Sequence, residues 1–182
     1  HFMINNSENI YEMLENGQVD LAYVIEPIRQ KNISLTPLFT EQMVLVASDA
    51  MKLEGSSIHP NQLDIRDACQ FDWKEQNLNT WFEHWFNPKE LPYLKTNSPP
   101  FAFSFMKSHV CWSVVPHSMG KRLEREAGMK LYTIKEPPQE RICYRAASNG
   151  RHTLYPDAIK YWDREMKRFI LSKPWLETAK EK

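Results

Sequence analysis

Residues 19–25 run Val-Asp-Leu-Ala-Tyr-Val-Ile, apolar throughout except for Asp20. A continuous apolar run, as opposed to an alternating one, predicts a strand covered on both faces, as in the centre of a parallel sheet. Ahead of it, Ile10, Met13 and Leu14 recur at helical spacing. Asn5-Asn6-Ser7 supplies capping side chains before that helix, and Gly17 supplies its end. Phe2-Met3-Ile4 reads as the close of an earlier strand. Strand, helix and strand in succession form a right-handed βαβ unit.

Further along, residues 33–39 and 43–47 read as strands, and residues 48–62 as a looser polar stretch with a short helix near Pro60. Ala68-Cys69-Gln70-Phe71 is strand-like and ends at Asp72-Trp73. Residues 78–86 form an aromatic helix carrying Trp81, Phe82, Trp85 and Phe86. Residues 93–96 are extended. Asn97-Ser98-Pro99 then opens a helix with a capping residue and a first-turn proline. A buried strand over 110–115 stops at Pro116, and a charged helix over 119–127 stops at Gly128. Strands follow over 130–134 and 141–147. Pro156 opens a last helix with Ile159, Trp162, Met166, Phe169 and Ile170 on one face, and Pro174 closes it. The alternation of strands and helices predicts an α/β protein.

Composition narrows the class. A chain of 182 residues buries roughly 70% of its unfolded surface, enough for a core without staples. Hydrophobic residues are 42% and charged residues 25%, the balance of a globular chain and not a disordered one. Lys+Arg and Asp+Glu are both 23, so no basic footprint for nucleic acid exists and the chain alone is not expected to bind duplex DNA. Cys69, Cys111 and Cys143 are odd in number and far apart, which predicts buried thiols in a reducing, cytoplasmic setting. No apolar run approaches the ~20 residues of a membrane span. His1 reads as an arbitrary start without a signal-peptide layout, and the native protein is expected to be longer.

Catalytic and cofactor signatures are missing. There is no G-x-S-x-G elbow to raise Ser104, Ser113 or Ser118 to a nucleophile. There is no phosphate-binding or dinucleotide-binding glycine loop. His59, His109, His117 and the cysteines lack metal-ligand spacing. The expectation is therefore no enzyme, no cofactor and no metal.

Several stretches taken in order resemble one family. "YEMLENGQVDLAYVIEP", "LTPLFTEQMVLVASDAMKL", "SVVPHSMGKRLE" and "LYTIKEPPQERICYRA" look like the effector-binding domain of LysR-type transcriptional regulators. "QFDWKEQNLNTWFEHWF" is similar to a subgroup with Asp-Trp before an aromatic helix. The resemblance extends to about Phe169. It departs from the family in two places. The strand and helix that precede Phe2 in the family are absent, with the winged helix-turn-helix upstream of them. His109-Val110-Cys111 stands where the family often has Gly-x-Gly.

The resemblance implies two Rossmann-like α/β lobes with a cleft between them, of the type II periplasmic-binding-protein kind. It implies crossover strands near residues 43–48 and 141–147, lobes of residues 1–47 with 142–182 and of residues 48–141, and a structural role for Asp20. Ligands of open α/β sheets bind outside the carboxyl ends of strands, which directs attention to Glu26-Pro27 and to Asp72-Trp73. Helix amino ends attract anions. The resemblance aims Asn6-Ser7 and Asn97-Ser98 at the cleft from opposite lobes. Candidate ligand-binding residues are Asn6, Ser7, Glu26, Asp72, Trp73, Asn97, Ser98 and Phe101. Plain N-capping also accounts for the Asn-Ser pairs and for Asp72, and packing for Trp73. The aromatic helix reads as core.

Two functions fit. One is a ligand-sensing regulatory domain whose effector, an organic anion, biases a homodimer or homotetramer and so moves DNA-binding regions outside this chain. The other is a solute-binding protein serving a transporter.

Overall fold

The computed structural model describes residues 3–5, 7–25, 27–73, 75–149 and 155–179, with residues 7 and 8 as backbone. The chain divides into two compact units, residues 1–41 with 141–182, and residues 42–140.

In the first unit, helix α1 (Ser7–Glu15) ends as the sequence predicts. Gly17 takes φ 67°, its N–H donates to the Leu14 carbonyl at 3.2 Å, and the Gln18 N–H donates to Met13 at 2.8 Å. Those two bonds satisfy the last helical carbonyls in a Schellman turn. The apolar side of α1, Tyr11 and Leu14, packs on Ala22 and Val24 of β1 (Leu21–Val24), on Ile33 and on Ala146. The Tyr11 hydroxyl also accepts the Ile28 N–H at 3.0 Å, tying down the chain after β1.

The sheet of this unit runs β1-β9-β2-β10, with β2 at Ile33–Glu41, β9 at Arg141–Ser148 and β10 at Leu176–Thr178. Every pair is antiparallel. This corrects the expectation of a central parallel strand over residues 19–25. Among the described residues β1 is an edge strand, and it alternates: Ala22 and Val24 are buried under α1, while Leu21 and Tyr23 are half-buried. The βαβ unit is corrected as well. Met3 and Ile4 are 52% and 102% exposed and lie outside any strand, because a strand needs a neighbour to take its N–H and C=O groups. Helix α5 (Pro156–Leu171) forms as predicted, but of its apolar stripe only Ile170 is fully buried. Its Asp163 holds Arg145 of β9 through two bonds, 2.7 and 3.0 Å.

In the second unit β3 (Met43–Ala47) is antiparallel to both β7 (Trp112–Pro116) and β8 (Lys130–Ile134). β4 (Ser57–Ile58) runs parallel to β8, and β5 (Cys69–Phe71) parallel to β6 (Leu94–Thr96). A parallel bridge from Ala68 to Trp112 carries β7 onto β5. The described order is therefore β4-β8-β3-β7 continued by β5-β6. All five residues of β3 are buried. Met43, Leu45 and Ala47 face a cluster holding Leu78, Trp81 and Phe82 of α2 (Gln76–Trp85). Val44 and Val46 face a cluster holding Ala102 and Met106 of α3 (Pro99–Ser108) and Leu123 of α4 (His117–Ala127). Helices thus cover both faces, and the aromatic helix is core, as its sequence implies.

This packing moves one boundary. The sequence division placed residues 42–47 with the first lobe, whereas β3 belongs to the second unit. Five consecutive buried residues require cover on both faces, and α2, α3 and α4 supply it there. The turn that lacks the family's Gly-x-Gly needs no unusual backbone: His109 has φ −126° and ψ 146°, extended values open to any residue. Its ring stacks on Phe105 at 3.9 Å.

Candidate functional site at the carboxyl edge of the second sheet

The parallel register of β5 and β6 pairs Phe71 with Thr96, so Asp72 and Asn97 follow side by side. Thr96 joins the two strand ends. Its carbonyl accepts the Asp72 N–H at 2.9 Å, and its hydroxyl accepts the Ser98 N–H at 3.1 Å. Trp73 stacks on Phe71 with ring centroids 4.6 Å apart, which orients the indole beside Asp72. Asp72, Trp73, Thr96 and Ser98 are half-buried, Asn97 is exposed, and Phe101 in the first turn of α3 is 55% exposed. The Asp72 carboxylate makes no hydrogen bond or ion pair with a described residue.

The structure therefore brings Asp72, Trp73, Asn97, Ser98 and Phe101 to one edge of one sheet. Ser7 opens α1 in the first unit. Asn6 and Glu26 lie outside the described residues. Before α1, the Asn5 side-chain oxygen accepts from the Asn9 amide at 3.0 Å.

The amino end of α3 is poorer in donors than the sequence reading supposed. Ser98 is its N-cap residue but makes no side-chain capping bond. Pro99 and Pro100 have no N–H, the Ser98 N–H is taken by Thr96, and the Ala102 N–H goes back to the Ser98 carbonyl at 3.0 Å. One backbone donor, the Phe101 N–H, remains in that first turn. An anion at the Asn97-Ser98 helix end would thus have a single backbone donor of that turn to bind.

Two features escaped the sequence reading. Thr96 had no motif to mark it, because its role depends on where β5 ends. The start of α4 was weighed only for a metal ligand at His117 and a nucleophile at Ser118, although β7, parallel to β5, delivers His117 to the same edge. There the His117 N–H is held by the Gln42 carbonyl at 3.0 Å. The proline that stops β7 at the helix start was the available signal.

The cysteines do no chemistry here. Burial pushes the Cys69 thiol up to about 12 and Cys111 and Cys143 up to about 11. They stay protonated and unreactive at neutral pH. Among the described residues no three His, Cys, Asp or Glu side chains gather to hold a metal. No described helix is long and apolar enough to cross a membrane.

Comparison with known proteins fixes the class. The LysR substrate binding domain family matches residues 1–156, and the chain belongs to that family. Solved structures agree. The Synechocystis PCC6803 CcmR regulatory domain, in complex with 2-PG, superposes with a TM-score of 0.72 at 19% identity, covering 92% of this chain and 82% of that one. The reduced OxyR regulatory domain from Pseudomonas aeruginosa gives 0.71 at 16% identity, covering 93% and 81%. The effector-binding domain of QuiR, in complex with shikimate, gives 0.67 at 19% identity, covering 92% and 81%. No curated protein sequence matches. The fold is the mixed α/β, type II periplasmic-binding-protein kind of LysR regulatory domains. The chain is an effector-binding regulatory domain and not an enzyme, which also decides against the solute-binding alternative.

Proposed function

We propose that this regulatory domain responds to a small organic acid and contacts it with Asp72, Trp73, Asn97, Ser98 and Phe101. The observation that carries the reading is the convergence of two parallel strand ends and a helix start at one edge, where α/β sheets take their ligands. The complexes of CcmR with 2-PG and of QuiR with shikimate support an organic acid as the class. In the full regulator, occupancy shifts the balance between two states of a homodimer or homotetramer, and a separate DNA-binding region reads out the shift. Action on DNA places the protein in the cytoplasm.

The test is a thermal-shift screen of organic acids, amino acids and aromatic metabolites. A ligand that binds only the folded state stabilises it by about 2.7 kcal/mol at a hundred times its Kd. Ser98→Ala and Trp73→Ala, each checked for folding by circular dichroism, should weaken binding of any hit. The assignment fails if no compound raises Tm, or if both variants bind the hit as tightly as the parent.

A further inference from the structure

We infer that the carboxyl edge of β5 and β6 reads a hydrogen-bond-donating group of the effector, an ammonium or a hydroxyl, and that Asp72 is the residue that sets this specificity. The inference rests on the effector reading above and deepens it. Two observations converge.

The first is what this edge lacks. Pro99 and Pro100 strip the first turn of α3 of two N–H groups, and Thr96 and the helix itself take those of Ser98 and Ala102. A carboxylate or phosphate placed there meets one free backbone N–H of α3, where an uninterrupted first turn would offer more, and otherwise only the neutral side-chain donors of Thr96, Asn97 and Ser98.

The second is what the edge presents. Asp72 is half-buried beside the Trp73 indole and finds no cation or donor among the described residues for its side chain. An ionised carboxylate accepts at both oxygens and donates nothing. An anionic group brought against it is repelled, whereas an ammonium or hydroxyl satisfies it. The Asp72 N–H is bonded to the Thr96 carbonyl at 2.9 Å, so the backbone that carries the carboxylate is fixed before any ligand arrives. The Phe71 ring fixes the Trp73 indole in the same way, at 4.6 Å. An effector of this chain therefore carries a donor-bearing end, which lies here, in addition to its anionic end, which does not.

Isothermal titration with three probes tests this: benzoate, 3-hydroxybenzoate and 3-(aminomethyl)benzoate. They share one carboxylate and differ in the second group. Both donor-bearing probes should bind at least roughly tenfold more tightly than benzoate, the scale of one hydrogen bond to a charged acceptor. A further preference for the aminomethyl probe assigns the recognition to charge; equal binding of the two assigns it to hydrogen bonding. Asp72→Asn keeps the shape of the side chain and should bring both donor probes down to the benzoate level. The inference is overturned if benzoate binds as tightly as either donor probe, if Asp72→Asn leaves the preference intact, or if none of the three binds. In the first case, loss of benzoate binding in Ser98→Ala would leave the effector reading standing while this inference falls. In the last case, the broader thermal-shift screen still decides the effector reading by itself.

Discussion

The Trp81 indole N–H donates a hydrogen bond to the carbonyl of Glu136 at 2.8 Å, across 55 residues of sequence. Glu136 follows β8 and holds φ 56°, a left-handed conformation that is unusual for a residue with a Cβ. The preceding N–H, of Lys135, donates to the Ile58 carbonyl at 2.8 Å. The core helix α2 thus holds the strained end of β8, just before the chain passes through Pro137 and Pro138 to β9. Replacing Trp81 by Phe keeps an aromatic ring in the core but leaves the carbonyl unpaired. Stability should fall by about 1–3 kcal/mol in urea denaturation. Glu136→Gly should raise stability by up to about 1 kcal/mol, because glycine adopts positive φ without cost. A Phe variant as stable as the parent would show that the indole bond contributes nothing.

Gly120 marks the close approach of α4 to the sheet. A Cβ there would lie 2.8 Å from a Val44 methyl and 3.0 Å from a Leu131 methyl. Overpacking of this kind costs roughly 1–3 kcal/mol, against a helix-propensity gain of about 1 kcal/mol for alanine over glycine. Gly120→Ala should be destabilising overall, and Val44→Ala in the same chain should cost less than it does alone, since the new methyl fills its space. Additive losses in the double variant would contradict the contact.

The buried thiols give an alkaline limb to the stability curve. Their ordinary value is 9.0, and burial raises Cys69 to about 12 and Cys111 and Cys143 to about 11. Above pH 9 the unfolded chain loses these protons while the folded chain keeps them, so the folded state binds more protons and stability falls as pH rises. The decline should run from about pH 9 to pH 11–12. It should shrink in Cys69→Ala when each variant is compared with its own stability at pH 7. Ellman's reagent should leave the native protein unlabelled at neutral pH and react with all three thiols in denaturant. Rapid labelling of the native protein would refute the burial of these groups.

The fork between Arg145 and Asp163 attaches α5 to β9. The side chains are 24% and 38% exposed, so water screens the pair in part. A double-mutant cycle with Arg145→Ala and Asp163→Ala should return a coupling of about 0.5–1 kcal/mol, smaller at high salt. A coupling of zero at low salt would mean that the observed geometry adds no stability.

Much of the local structure was legible because its causes are local. The stop of α1 at Gly17, the stop of α4 at Gly128 and the proline starts of α3 and α5 each follow from one residue's backbone freedom or its missing N–H. Strand β10 was not legible. It has a single buried apolar residue, Leu176, and exists because β2 offers it an edge. The loss of donors at Pro99 and Pro100 could have been read from the sequence and was missed, because Pro99 was weighed as a helix-start signal and not for the N–H that it lacks.

The sequence by itself determined the alternation of helices and strands, the aromatic core of α2 and, through the order of its motifs, membership of the regulator family. It did so because periodicity, caps and turns are properties of neighbouring residues. Tertiary structure alone decided that β1 is paired antiparallel, that β3 belongs to the second unit, and that Thr96 joins Asp72 to Ser98. Those are choices of partner between residues far apart in the chain. An apolar run specifies that a strand will be covered, but which strand covers it, and which side chains then meet at its end, depends on the packing of the whole unit.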